Sequence, residues 1–136
     1  MLNNLALWAL IEDLGLKRLP RSHAREVKVS GPLGIYALDG PSAAVTFAQS
    51  FRAELARYEI TCRIGVDAGP VVLFDLSAGV GDIAGNPVNI ASKMAQDKGK
   101  PGKLYLSSTM KEQVDVSQFL EISYVVSGVA VTAYEV

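Results

Sequence analysis

Asn89 and Lys93 stand four residues apart in the run Gly85-Asn86-Pro87-Val88-Asn89-Ile90-Ala91-Ser92-Lys93-Met94. On a helix that spacing points both side chains the same way. Val88, Ala91, Met94 and Ala95 follow the spacing of a buried stripe, so a hydrogen-bonding amide and a positive charge project together from a packed helix. Two further residues offer complementary chemistry: Lys28, a donor near a strand end, and Asp82, an acceptor following Gly79-Val80-Gly81. Each has a plainer alternative. Lys28 is equally a solvent-exposed charge, Asp82 a turn-stabilising side chain, Asn89 a helix cap or local hydrogen-bonding partner, and the Asn89/Lys93 face a solvated one.

These residues need elements to hold them, and the chain alternates helical and extended patterns. Leu2 to Leu14 reads as a helix stopped by Gly15, apolar almost all round. Such girth implies either deep burial or a partner surface. Arg25 to Ser30 and Gly34 to Leu38 read as strands joined through Gly31-Pro32-Leu33. Ser42 to Arg57 is the clearest amphipathic helix, with Ala44, Phe47, Ala48, Phe51 and Leu55 on one side and Gln49, Arg52, Glu54 and Arg57 on the other. Strands over Thr61 to Val66 and Val71 to Phe74 precede a helix from Pro87 to Lys98 ended by Gly99. A strand at Lys103 to Leu106, a short helix at Ser108 to Val114, and an antiparallel pair, Glu121 to Val126 with Val129 to Val136, complete the order. No repeat, linker or low-complexity tract appears, and residues 1–136 read as one α+β domain.

The runs Cys62 to Val72, Val80 to Asn86 and Val88 to Lys93 together resemble the second half of the class III nucleotidyl cyclase homology domain. There the order is a strand, a hairpin, an acidic purine-contacting residue, and a helix bearing an Asn and an Arg. Upstream, Glu26-Val27-Lys28-Val29-Ser30-Gly31 is similar to the family's strand carrying an adenine-contacting Lys; downstream, Lys100 to Ser108 is similar to its next strand. The likeness runs from about Lys28 to Ser108. It implies a ferredoxin-like core, a mixed and mainly antiparallel sheet with helices packed on it, shortened at the N-terminal side by the first strand. It also implies Lys28 and Asp82 as purine-binding positions of the adenine type, and Asn89 and Lys93 as transition-state positions.

Departures from the family pattern bear on activity. Family cyclases hold two Mg or Mn ions with two Asp residues. Position 32, where the second belongs, is a proline, and the first has no candidate. The resemblance therefore implies no metal site and no cofactor, and without cations the route to ribose attack on the α-phosphate is closed to this chain alone. Lys93 replaces an Arg, keeping the charge but losing the planar fork of donors. Val126-Ser127-Gly128 stands where a phosphate-binding Lys is usual.

Composition narrows the setting. The 136 residues are 49% hydrophobic and 20% charged, enough for a core, with a net charge of -1 and no long basic run, which gives no reason to expect nucleic-acid binding. His23 lies in a short basic segment, Pro20 to Arg25, that reads as an exposed loop. A single cysteine, Cys62, excludes an internal disulfide framework, and the Leu5 to Ile11 run is too short for a membrane span, so a cytoplasmic protein is expected. Three functions fit: a non-catalytic cyclase-like module for signalling that pairs with itself or with a cyclase-like chain, with or without ATP as its ligand; the metal-free half of a composite adenylate cyclase; or a structural interaction protein on an inherited scaffold.

Overall fold

The computed structural model describes residues 24–30, 33–76, 80–126 and 128–136. The helix expected over Leu2 to Leu14, His23, Pro32 and Ser127 lie outside them. Among the described residues there are eight strands and two α-helices: β1 (Ala24–Ser30), β2 (Leu33–Leu38), α1 (Pro41–Arg57), β3 (Ile64–Val66), β4 (Val72–Leu76), β5 (Val80–Ala84), α2 (Asn86–Lys93), β6 (Leu104–Ser107), β7 (Leu120–Val126) and β8 (Val129–Glu135). All strand pairs are antiparallel except β3 with β6, so the expected α+β class with mainly antiparallel pairing is observed. No helix of the described residues is long and apolar enough to cross a membrane. The described residues fall into two compact units, those of 24–61 with 72–84, and those of 62–71 with 85–136.

In the first unit, α1 begins where Gly40 turns the chain at φ 94 and Pro41 supplies a helical φ at the first position. Val45, Phe47, Ala48, Phe51 and Leu55 are its buried face. Tyr36 of β2 packs on Phe47 at a ring separation of 4.9 Å and edge-on to Phe51 at 5.8 Å, which fixes the helix against the β1-β2 hairpin. Burying each such side chain contributes roughly 1.5–3 kcal/mol. The helix ends at Tyr58 and Glu59, whose φ of 59 is left-handed, while the Ile60 N–H donates back to the Leu55 carbonyl at 3.0 Å. The β4-β5 hairpin completes the unit, with β5 running beside β1.

The second unit is a sheet of order β3-β6-β8-β7. Met94, Tyr105 and Ala133 form a buried cluster, and Ile90, Ile122 and Tyr124 pack against it, so the α2 side covers one sheet face. Leu104, Leu106 and Tyr134, on the opposite face by strand alternation, are also buried. A 3-10 turn, Ser108–Glu112, inserts Met110 with no exposed surface. The expected helix from Pro87 to Lys98 is α-helical only through Lys93; Met94–Lys98 widens into a π turn. Apolar spacing alone carries no signal for that widening.

Two packing features govern this unit. The first is the approach of β3 to α2: a Cβ on Gly65 would lie 2.1 Å from the Ala91 carbonyl oxygen. Only a residue without a side chain allows that distance. The second is a polar chain inside the core. The Lys100 N–H donates to the Tyr105 hydroxyl at 2.8 Å, and that hydroxyl donates to Glu135 Oε2 at 2.8 Å. Tyr105 is 1% exposed, and burial pushes its phenol above the usual value; the Lys100 N–H acts in the opposite direction and the Glu135 carboxylate in the same one. Burial likewise raises Tyr124.

Two outcomes follow. Gly65→Ala is expected to lose about 1–3 kcal/mol of unfolding free energy in urea titration, because the clash is with backbone that cannot rotate away. For the tyrosines, both states are protonated below about pH 10, the ordinary phenol value. Above it the unfolded chain ionises first while the native phenols keep their protons, so stability falls as pH rises toward the raised native values. Tyr105→Phe should flatten that alkaline decline, with Tyr124 carrying the remainder. It should also cost about 1–3 kcal/mol at neutral pH, because Glu135 loses its donor.

Candidate functional site

In the first unit, Lys28 lies in the middle of β1 opposite Ile35, and Asp82 lies in the middle of β5 opposite Phe74. Because β1 runs beside β5, the fold sets the two expected purine positions on neighbouring strands. Asp82 is thus a strand residue, two positions inside β5, and the turn role open to it in the sequence does not describe its place.

In the second unit, Asn89 and Lys93 are both exposed and one turn apart on α2. The helix starts at Gly85, whose φ of 141 and Cβ direction, 2.9 Å from the Pro70 carbonyl oxygen, suit glycine. Gly85 is the N-cap and no side chain caps the helix. Asn89 is therefore no cap; its backbone N–H donates to the Gly85 carbonyl at 3.4 Å, and its amide side chain faces outward one turn into the helix. Pro87 is buried and its Cγ would meet a Cβ on Gly69 at 3.0 Å, so the loop after β3 packs directly on the start of α2. The outward direction of Asn89 and Lys93 follows from what is packed behind them, namely Ala91 against Gly65 and Met94 in the core.

Sequence reasoning missed a polar pair in this unit. Ser107, at the end of β6 and 5% exposed, donates through its Oγ to Asp67 Oδ1, just past the end of β3. The two strands are parallel, so their carboxyl ends lie side by side and bring together residues 40 apart in sequence. The Tyr105–Glu135 link was missed for the same reason. A polar residue at each strand end was visible, but nothing in the local pattern announced that the strands would be neighbours.

No family profile and no curated protein matches the sequence. Solved structures do. An adenylate/guanylate cyclase/hydrolase from Silicibacter pomeroyi is 22% identical with a TM-score of 0.69, over 99% of this chain and 83% of that one. An adenylate cyclase of Trypanosoma brucei, in a monomeric state, is 17% identical with a TM-score of 0.71, over 94% of this chain and 76% of that one. A dimeric guanylyl cyclase domain of a fusion protein from the aquatic fungus Blastocladiella emersonii is 19% identical with a TM-score of 0.68, over 96% and 79% respectively. The likeness takes in strands and helices of both units, and on that basis this chain has the fold of a class III adenylate/guanylate cyclase domain.

Proposed function

We propose that this chain is a cyclase-fold module that holds an adenine nucleotide without converting it by itself, and that it serves signalling as a regulatory subunit assembled with a second cyclase-like chain. The observation that supports the reading is that β5 runs beside β1 within the first unit, each strand bearing one of the two residues suited to reading a purine. Lys28 would donate to a ring nitrogen and Asp82 accept from an exocyclic amine. Asn89 and Lys93, exposed on α2, correspond by the resemblance to the family's transition-state positions. The family's second metal carboxylate falls at position 32, which is a proline in this chain, so the resemblance brings no two-cation centre with it. No catalytic step is therefore assigned to this chain.

A composite enzyme is the second reading, favoured by the retention of Lys28, Asp82 and Asn89 together. It requires a partner that brings the metal carboxylates. Cyclic nucleotide formation on adding a co-purifying cyclase-like chain would establish it.

Two measurements test the module. The isolated chain should form no cyclic AMP or cyclic GMP above a buffer control with magnesium or manganese, and Pro32→Asp should not restore turnover, because one carboxylate does not rebuild a two-ion site. Turnover abolished by Asn89→Ala would overturn the assignment. In calorimetry, ATP should bind better than GTP, because a carboxylate accepts from the adenine amine but opposes the guanine carbonyl. With few phosphate cations the dissociation constant should be on the order of 0.1 to 1 mM, about 4 to 5.5 kcal/mol. Asp82→Ala should erase the preference and Lys28→Ala weaken adenine nucleotides generally. No ATP binding at several times that concentration would overturn the nucleotide reading.

A further inference from the structure

Strand β7 is the outer strand of the second unit's sheet: it pairs with β8 on one side and with no strand of the described residues on the other. Outer strands expose a row of backbone donors and acceptors, and proteins commonly blunt them with lysine, proline or a bulge. β7, Leu-Glu-Ile-Ser-Tyr-Val-Val, has no lysine or proline, and its pairing with β8 runs in unbroken register from Leu120 to Val126. It is also unusually apolar toward solvent. Leu120 is 63% exposed, Val125 60%, and Val129 at the hairpin turn 63%.

We propose that β7 pairs edge to edge with β7 of a second copy of this chain, making one continuous eight-stranded sheet about a two-fold axis through Ser123. The sequence of the strand selects this occupant and this register. A two-fold axis perpendicular to the sheet keeps each face matched to itself, so paired positions share strand parity. Centring on Ser123 is the register that uses the whole strand, Leu120 to Val126. It sets Glu121 opposite Val125, Ile122 opposite Tyr124, and Ser123 opposite its own copy. The single charge of the strand then never meets itself, the two serine hydroxyls are placed to hydrogen-bond, and the aromatic–aliphatic pair extends the row in which Ile122 and Tyr124 already pack on Met94, Tyr105 and Ala133. Shifting the centre to Glu121 would oppose two carboxylates. The pairing is independent of the nucleotide reading, since it draws on no residue of that site.

Sedimentation velocity on the full chain tests it. The wild type should be a dimer at micromolar concentration, and a monomer there overturns the proposal. Ser123→Lys and Ser123→Glu, each folded by circular dichroism, should each weaken the dimer at least about tenfold by opposing like charges. Mixing the two in equal amounts should restore it as a heterodimer seen by native mass spectrometry. Val125→Lys should leave the dimer intact or tighten it, because the introduced ammonium meets Glu121 of the second copy. A dimer indifferent to Ser123→Lys, a mixture that stays monomeric, or a dimer lost in Val125→Lys would each overturn the pairing, the last pointing to a non-specific apolar contact instead.

Discussion

The contact on which the second unit depends is the one between a missing side chain and a carbonyl. Gly65 lets β3 lie so close to α2 that the Ala91 oxygen occupies the space of a Cβ. That approach presses α2 onto the sheet, sends Met94 into the cluster with Tyr105 and Ala133, and leaves Asn89 and Lys93 facing out. Had position 65 carried even a methyl group, the helix would stand off and the same sequence of α2 would present its polar residues at a different height. The chemistry available on this helix is therefore set by a residue on another element that has no chemistry of its own.

Polar groups inside the sheet are settled in pairs that span the fold. Ser107 donates to Asp67 across parallel strands, and Tyr105 donates to Glu135 across antiparallel ones while receiving the Lys100 N–H. No buried side-chain nitrogen or oxygen of the described residues is left without a partner. Burial of an unpaired carboxylate costs far more than a hydrogen bond returns, so each pair acts as a condition on register: a one-residue slip of β6 would strand Ser107, Asp67, Tyr105 and Glu135 at once.

What was legible in the sequence was whatever depends on neighbours in the chain. The amphipathic spacing of Phe47, Ala48, Phe51 and Leu55 located α1 to within a residue, and the glycine and proline at 40 and 41 explain its start. β5 escaped the pattern reading because Gly79, Gly81 and Gly85 punctuate Val80 to Ala84 as though it were loop, although it pairs along its whole length with β4. The Thr61 to Val66 strand is shorter than its apolar run, because only Ile64 to Val66 finds a partner in β6. Pairing decides such ends, and pairing is not local. The same holds for the site: Lys28 and Asp82 were picked out by resemblance, but their standing on neighbouring strands is a property of topology that neither segment carries alone.

The order of strands in the second unit has a consequence for synthesis. β8, the latest of the strands to be made, lies between β6 and β7, and β3, the earliest of the four, waits for β6 some 40 residues on. Residues 72–84, which belong to the first unit, are made in between. A nascent chain on the ribosome therefore holds β6 and β7 as unmatched edges until β8 emerges and slots between them. During translation β3 waits longest of the four for its partner while β7 meets β8 almost as soon as both are made, so the demand on chaperones should begin when β3 emerges and last until β8 closes the sheet.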